Sequence, residues 1–281
     1  MNLRVDAHQH FWRIDATWHE WPQADLPTIC RDFLPLDLAP ALRGCGIDGT
    51  VLVQSQPVDA DTDWMLQLAE RGPTILGVVG WVDMAAPDAP AHIATLARHA
   101  KLKGLRPMLQ NLPAEWILQP AVQAAVQAMV AHGLVFDALI RPLHLPAIAT
   151  LTERYPELAI VVDHGAKPDI AAGDLDGWAA DLATLAQRPN VACKISGLVT
   201  EAGAGWSPAD LRPFVQHILA VFGPERVLWG SDWPVLLLQS DYAAWHAMAQ
   251  AMVPETQRDA VFGGNAARLY RLGTITRDNQ Q

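Results

Sequence analysis

Cysteine is scarce: the three in the chain, Cys30, Cys45 and Cys193, are too few and too scattered for a disulfide framework or a Cys-rich zinc site. Each reads more simply as a small buried or half-buried residue, which fits a reducing cytoplasm. Positive charge is short as well. Lys and Arg number 20 against 30 Asp and Glu, the formal net charge is -10, the pI is near 5.4, and no basic cluster occurs. That balance excludes nucleic acid or an anionic membrane bound through a basic patch and leaves a small molecule as the expected partner. A run of about 18 apolar residues, which a membrane span needs, is missing too. The chain opens on a charged strand-like segment rather than an apolar signal core, so neither membrane insertion nor secretion is expected.

What is present is apolar bulk. A chain of 281 residues, 51% hydrophobic and 18% charged, can bury a large core, as one α/β barrel or as two ordinary domains. Trp is abundant at 11 residues. Several stand beside expected strand ends, where aromatic walls suit a small ligand, although core packing accounts for most of them.

The first hydrophobic run, Leu3 to Ala7, leads into Asp6-Ala7-His8-Gln9-His10. On a strand, strict alternation puts Asp6, His8 and His10 on one face and Val5, Ala7 and Gln9 on the other. Two imidazoles at one strand end suit a divalent metal or a polarised carbonyl oxygen. An irregular segment follows, Phe11 to Pro35, long enough to be an active-site loop.

From there strands and helices alternate. Strands are expected at Thr50–Gln54, Ile75–Val82, Leu102–Pro107, Leu134–Ile140, Leu158–Val162, Val191–Ile195 and Arg226–Trp229. The intervening stretches read as helices, among them Asp59–Arg71 with Asp59 or Asp61 as its cap and a helix opening at Ser207-Pro208-Ala209-Asp210. The last helix is expected over Glu255–Tyr270. Continuous apolar strands, each followed by a helix, predict a parallel sheet covered on its outside, and eight such units close into a distorted (β/α)8 TIM-type barrel. A doubly wound sheet is the alternative. No linker or composition break divides the chain, so a single domain over 1–281 is expected, with 11–35 as its active-site loop.

In such a barrel the site lies at the C-terminal strand ends. Those ends carry His8 and His10, Arg106, Arg141 and His144, Asp163 and His164, Lys194, and Ser231-Asp232-Trp233-Pro234. Of the remaining histidines, His19 falls in the loop and the others in or at the ends of presumed helices, where they read as solvent-facing or end-capping groups.

Taken together, Asp6-Ala7-His8-Gln9-His10, Lys103-Gly104-Leu105-Arg106, Asp163-His164-Gly165-Ala166-Lys167-Pro168, Cys193-Lys194-Ile195-Ser196-Gly197, Trp229-Gly230-Ser231-Asp232-Trp233-Pro234 and Phe262-Gly263-Gly264-Asn265-Ala266 resemble the amidohydrolase superfamily. The likeness is to its branch of sugar-lactone hydrolases, which act on aldonolactones such as L-fuconolactone or L-rhamnonolactone. The resemblance spans essentially the whole chain and implies the barrel. It also implies that His8, His10, His164 and Asp232 are catalytic and hold a metal. Binuclear members bridge two metals through a Lys or Glu; Lys103, the nearest candidate here, lies on the strand face opposite Arg106, so the expectation is one divalent ion, zinc, with a metal-free site as the alternative.

The expected reaction is hydrolysis of a cyclic ester. Asp232 takes a proton from water and returns it to the leaving alkoxide, His8, His10 and their metal polarise the carbonyl, and His164 orients it. Arg106 and Lys194 are expected to bind substrate or, alternatively, to form internal ion pairs with Asp163 or Asp6. Asp6 is expected to orient a ligand imidazole. Trp12 and Trp233 would wall the sugar ring, with His144 a further contact. Two other functions stay open: a lactonase or decarboxylase acting on a carboxylated pyrone or aromatic-derived substrate, and a non-catalytic barrel that only binds. Oligomeric state is not legible.

Overall fold

A computed structural model describes residues 3–273. Eight parallel strands form one sheet in chain order: β1 (Val5–Gln9), β2 (Gly49–Val53), β3 (Ile75–Gly80), β4 (Leu102–Leu105), β5 (Val135–Ala138), β6 (Ile160–Val162), β7 (Val191–Ile195) and β8 (Val227–Trp229). Helices α1 (Pro35–Cys45), α2 (Asp59–Arg71), α3 (Ala89–Leu96), α4 (Pro120–His132), α5 (Leu145–Arg154), α6 (Asp176–Ala186), α7 (Leu198–Glu201), α8 (Pro208–Phe222), α9 (Tyr242–Met252) and α10 (Asn265–Leu269) complete the chain. This is the expected single-domain (β/α)8 barrel; a doubly wound sheet would not run in sequence order. Among the described residues no helix is long and apolar enough to cross a membrane.

The strands are short but buried along nearly their whole length, because one face packs the barrel interior and the other the helices. The interior layer holds Val5, Ala7, Val135, Val161, Ala192 and Leu228. Two residues further along three of these strands, on the same face, stand Asp137, Asp163 and Lys194. Charge therefore sits directly above an apolar base.

Three expectations are corrected. The alternation along β1 fails, because its register against β2 shifts between Asp6 and Gln9. Asp6 consequently faces away from the imidazoles: it accepts from the His8 N–H at 3.1 Å, the Ser231 N–H at 2.9 Å and the Tyr242 hydroxyl at 3.0 Å. The last helix is not continuous; a π-type turn over Ala260–Gly264 separates Glu255–Gln257 from α10. His246 on α9 is no solvent-facing residue but is buried against Trp229 and Phe262. At the start of α8, Asp210 accepts from both the Ser207 N–H at 2.7 Å and the Ser207 hydroxyl at 2.9 Å, so the carboxylate rather than the serine oxygen does the capping.

The break before α10 has a steric cause. A Cβ on Gly263 would lie 1.8 Å from the carbonyl oxygen of Leu3, so the C-terminal segment can close the barrel base only through a glycine. Gly263→Ala is therefore expected to destabilise the fold by about 3 kcal/mol or to shift the Leu3 backbone. Urea unfolding checks this, and a wild-type midpoint would contradict the close approach.

Candidate active site

β1 and the segment after β8 meet at the C-terminal mouth. Asp232 N–H donates to His8 O at 2.8 Å and His10 N–H to Trp233 O at 2.7 Å. These two bonds set the backbones of the imidazole pair and of the carboxylate side by side. Asp232 takes φ 58°, a left-handed conformation that costs a non-glycine residue about 1–3 kcal/mol, as do His164, Ala166 and Lys167 in the turn after β6. Strain is thus concentrated where β6 and β8 deliver their side chains. The turn after β6 is held by Trp178, whose indole N–H donates to Gly165 O at 2.7 Å.

Three imidazole Nε2 atoms converge on one carboxylate oxygen. Asp232 Oδ1 lies 3.2 Å from His10 Nε2, 3.6 Å from His8 Nε2 and 3.9 Å from His164 Nε2, and the first two nitrogens are 3.2 Å apart. Gly197 makes room for this: a Cβ there would lie 2.4 Å from His164 Nδ1 and 3.0 Å from Asp232 Oδ2. His10 Nδ1–H donates to Val53 O at 2.8 Å, which turns Nε2 toward the cluster. His164 Nδ1 shares a hydrogen bond of 2.9 Å with Ser196 Oγ.

The donor set fits a metal. His8, His10 and Asp232 offer ligand atoms within mutual reach, and their spacings bracket the edge of about 3.4 Å that a tetrahedron of roughly 2.1 Å bonds requires. Nitrogens facing each other at 3.2 Å need a cation or a proton between them. A second grouping, His8, Asp163 and His164, is less suited, because Asp163 is already committed. Lys103, rather than bridging metals, donates to Arg271 O at 3.3 Å away from this cluster.

Beneath the imidazoles lies the charged layer. Lys194 Nζ is 2.5 Å from Asp137 Oδ2, 2.9 Å from Asp163 Oδ1 and 3.2 Å from His8 Nδ1. The Tyr270 hydroxyl donates to Asp137 from below, at 2.8 Å from Oδ2. Arg106 reaches Asp163 Oδ2 at 3.5 Å, donates to the main-chain and side-chain oxygens of Gln54, and approaches His8 Nε2 at 3.4 Å.

Burial lowers the Lys194 ammonium, but the Asp137 and Asp163 carboxylates more than reverse this and keep it charged. Burial would raise Asp163, yet Lys194, His8 and Arg106 hold it well below the usual carboxylate range. His8 is driven well down by burial against the pull of Asp163, and His164 is pushed down to about 4 by burial despite Asp232 and Asp163. Both rings are neutral at pH 7. Asp232 is the opposite case: burial would raise it, but His164, His10 and His8 keep it well below its ordinary value.

A cavity of about 420 Å³ opens over this floor and is lined by His10, His164, Asp232 and Arg106 together with Glu20, Trp21, Gln56, Gln110, Asn111 and Lys167. Four expected substrate contacts lie elsewhere. Lys194 is fully enclosed in its ion pairs, the internal pairing that was the alternative for it. Trp12 is buried against Phe33 with its N–H on Arg31 O at 2.9 Å, and Trp233 packs on Phe33 with centroids 5.1 Å apart. His144 ties two loops together through Leu112 O at 3.1 Å and Arg141 O at 3.2 Å. The aromatic wall is Trp21 instead. Sequence reasoning also passed over Asp137, although a carboxylate inside the apolar run of β5 signals a buried partner for Lys194.

A model of the amidohydrolase family matches residues 5–272. The chain belongs to the amidohydrolase family. This amidohydrolase is 46% identical over 280 residues to the L-fucono-1,5-lactonase of Burkholderia ambifaria, with 97% of each chain covered. It is 34% identical over 247 residues to the 2-pyrone-4,6-dicarboxylate hydrolase of Comamonas testosteroni, covering 82% of this chain and 76% of that one. A crystal structure of an amidohydrolase from Burkholderia multivorans with bound zinc superposes with a TM-score of 0.90 at 35% identity, covering 96% of this chain and 100% of the other.

Two stability tests follow from the buried charges. Lys194→Met strands Asp137 and Asp163 without their ammonium and is expected to destabilise by about 3–5 kcal/mol in urea unfolding; a loss below about 1 kcal/mol would mean that the network is dispensable. Asp61 on α2 caps no helix start; its Oδ2 accepts from the Ser55 and Gln56 N–H groups at 2.8 and 3.0 Å, its Oδ1 has no partner, and burial pushes its carboxyl up to about 6. The native state therefore holds this proton more tightly than the unfolded chain. The stability it contributes is complete below about pH 4 and is lost as pH rises through 6. Relative to Asp61→Asn, the wild type is expected to lose about 2–3 kcal/mol between pH 4 and pH 7, and equal slopes for the two proteins would refute the assignment.

Proposed function

We propose that this amidohydrolase opens neutral sugar lactones of the aldono-1,5-lactone class with water, with Asp232 as the general base. The observation that carries the reading is the floor of the cavity, where an ionised carboxylate faces three imidazole nitrogens within 3.9 Å. The near-full-length likeness to an L-fucono-1,5-lactonase supports the substrate class.

Lactone hydrolysis needs a water deprotonated, a carbonyl oxygen polarised and a proton delivered to the ring oxygen as the C–O bond breaks. Asp232 is anionic over the working pH range and reaches the cavity. It takes a proton from the attacking water and returns it to the departing alkoxide, so that one carboxyl serves both half-steps. His164, neutral and fixed by Ser196, holds the carbonyl oxygen or the water beside it. Arg106 presents a fixed positive edge where negative charge develops on that oxygen.

One zinc is assigned to His8, His10 and Asp232, with His164 close by; bound there it would act as Lewis acid and lower the pKa of water. Lys194 and Asp163 hold His8 from behind, which aims its Nε2 at the ligand cluster. Three free cysteines are in keeping with a cytoplasmic setting.

The carboxylated-pyrone alternative has less support here. A substrate with two carboxylates calls for free cations, whereas Arg106 is engaged by Gln54 and Asp163, and Lys167 pairs with Glu201 at 3.4 Å.

Hydrolysis releases an acid, so a pH-indicator assay on a lactone panel reads it directly. Asp232→Asn keeps the shape of the residue and is expected to lower kcat on an aldono-1,5-lactone by at least about 100-fold with thermal unfolding little changed. A folded Asn variant with near-normal turnover would remove the mechanism. Elemental analysis of the purified wild type should show one zinc per chain, and a metal-free, fully active preparation would remove that assignment alone.

A further inference from the structure

The wall of the cavity opposite the charged floor is built differently from the floor. It comes from the segment between β1 and α1, which returns to the barrel through the paired backbones of Trp12 and Phe33. One side chain ties its far point down. The Gln56 carboxamide, fully buried in the loop after β2, accepts at Oε1 from the Glu20 N–H at 2.9 Å and the Trp21 N–H at 3.2 Å. Its Nε2 donates to Trp21 O at 2.6 Å and to Ser55 Oγ at 3.1 Å. Both donors and both lone pairs are used. Gln56 is itself held by its own N–H on Asp61 Oδ2.

The two residues so pinned are unlike ordinary loop residues. Trp21 is 37% exposed yet braced edge-on by buried Trp12, with ring centroids 5.5 Å apart. An exposed indole fixed over a polar cavity offers a face to the C–H side of a pyranose ring. Glu20 also lines the cavity, and its carboxylate has no hydrogen-bond or ion-pair partner among the described residues. The cavity's cations are engaged elsewhere. An unpaired carboxylate in such a place accepts from hydroxyl groups and repels a second carboxylate.

We propose that Glu20 and Trp21, clamped by Gln56, are the specificity-determining residues of the site and select neutral, polyhydroxylated lactones over bare or carboxylated ones. This deepens the lactonase reading and rests on it. The clamp makes a distinct statement from the chemistry at Asp232: it concerns which ring is bound, not how the ester is opened.

The test is steady-state kinetics on three six-membered lactones: an aldono-1,5-lactone, the unsubstituted lactone, and a lactone bearing a ring carboxylate. The proteins are wild type, Glu20→Gln, Trp21→Ala and Gln56→Ala. The decisive quantity is the kcat/KM ratio of the hydroxylated to the unsubstituted lactone. It is expected to fall about tenfold in Glu20→Gln and in Trp21→Ala, the size of one lost charge-assisted hydrogen bond or stacking contact, with the change carried by KM. Gln56→Ala is expected to lower the same ratio, since it releases both residues, and Glu20→Gln should raise the relative rate on the carboxylated lactone.

An unchanged ratio in both Glu20→Gln and Trp21→Ala overturns the proposal, as does an equal loss on all three substrates, which would mark general disruption. Glu20→Gln alters an exposed side chain, so the test survives if Gln56→Ala fails to fold. A wild type inactive on all three lactones would defeat the lactonase reading and this proposal with it; an active wild type with an unmoved ratio defeats only this one.

Discussion

The closure of the barrel and the assembly of its site are one interaction. Among the described residues β8 is joined to β1 not by an extended ladder but by bonds at the mouth, Asp232 N–H to His8 O and His10 N–H to Trp233 O. The Asp6 carboxylate locks the same seam by accepting from the Ser231 N–H and the Tyr242 hydroxyl. A ring of strands that closes there must bring an imidazole pair from one end of the chain against a carboxylate from the other. The left-handed backbone of Asp232 is the local strain that this closure imposes, and the surrounding bonds hold it.

Beneath the seam the interior is layered by polarity. Apolar side chains fill the base, Lys194 with its two carboxylates fills the middle, and the His10 and His164 imidazoles face the cavity. Buried ion pairs add little net stability, since desolvation offsets attraction, but removing one partner is severe. Their consequence here is positional: Lys194 and Asp163 both touch His8 Nδ1, which fixes the ring that faces Asp232. The same dry surroundings separate protonation states, leaving His8 and His164 neutral while Asp232 is charged. Groups driven apart in this way can divide acid, base and ligand duties at one pH.

Floor and wall follow different rules. The floor is carried by strand ends, whose positions the whole sheet sets, and the lack of a side chain at Gly197 admits the imidazole and carboxylate together. The wall is an irregular segment made definite by one saturated carboxamide and a cluster of indoles. Loop-borne recognition on a rigid barrel generally allows the ligand recognised to vary while the chemistry stays constant.

Much of this was readable along the chain. Apolar runs in alternation with helical periods are enough to define eight βα units, and the identity of the residue that ends each run places His8, His10, Arg106, His164 and Asp232 at one mouth, because strand ends in a closed parallel ring share a side. Lys194 and Trp12 show where such reading stops. Lys194 is expected at a strand end and Trp12 in the loop after the first strand, but whether a side chain looks into the cavity or is spent on a neighbour depends on partners from distant elements: Asp137 and Asp163 for the lysine, Phe33 and Arg31 for the tryptophan. The register shift in β1, which turned Asp6 away from the imidazoles, and the glutamine that pins Glu20 and Trp21 are likewise invisible to periodicity. Local pattern dictates which strands form; the pairing of polar groups within a closed interior settles which residues remain free to meet a substrate.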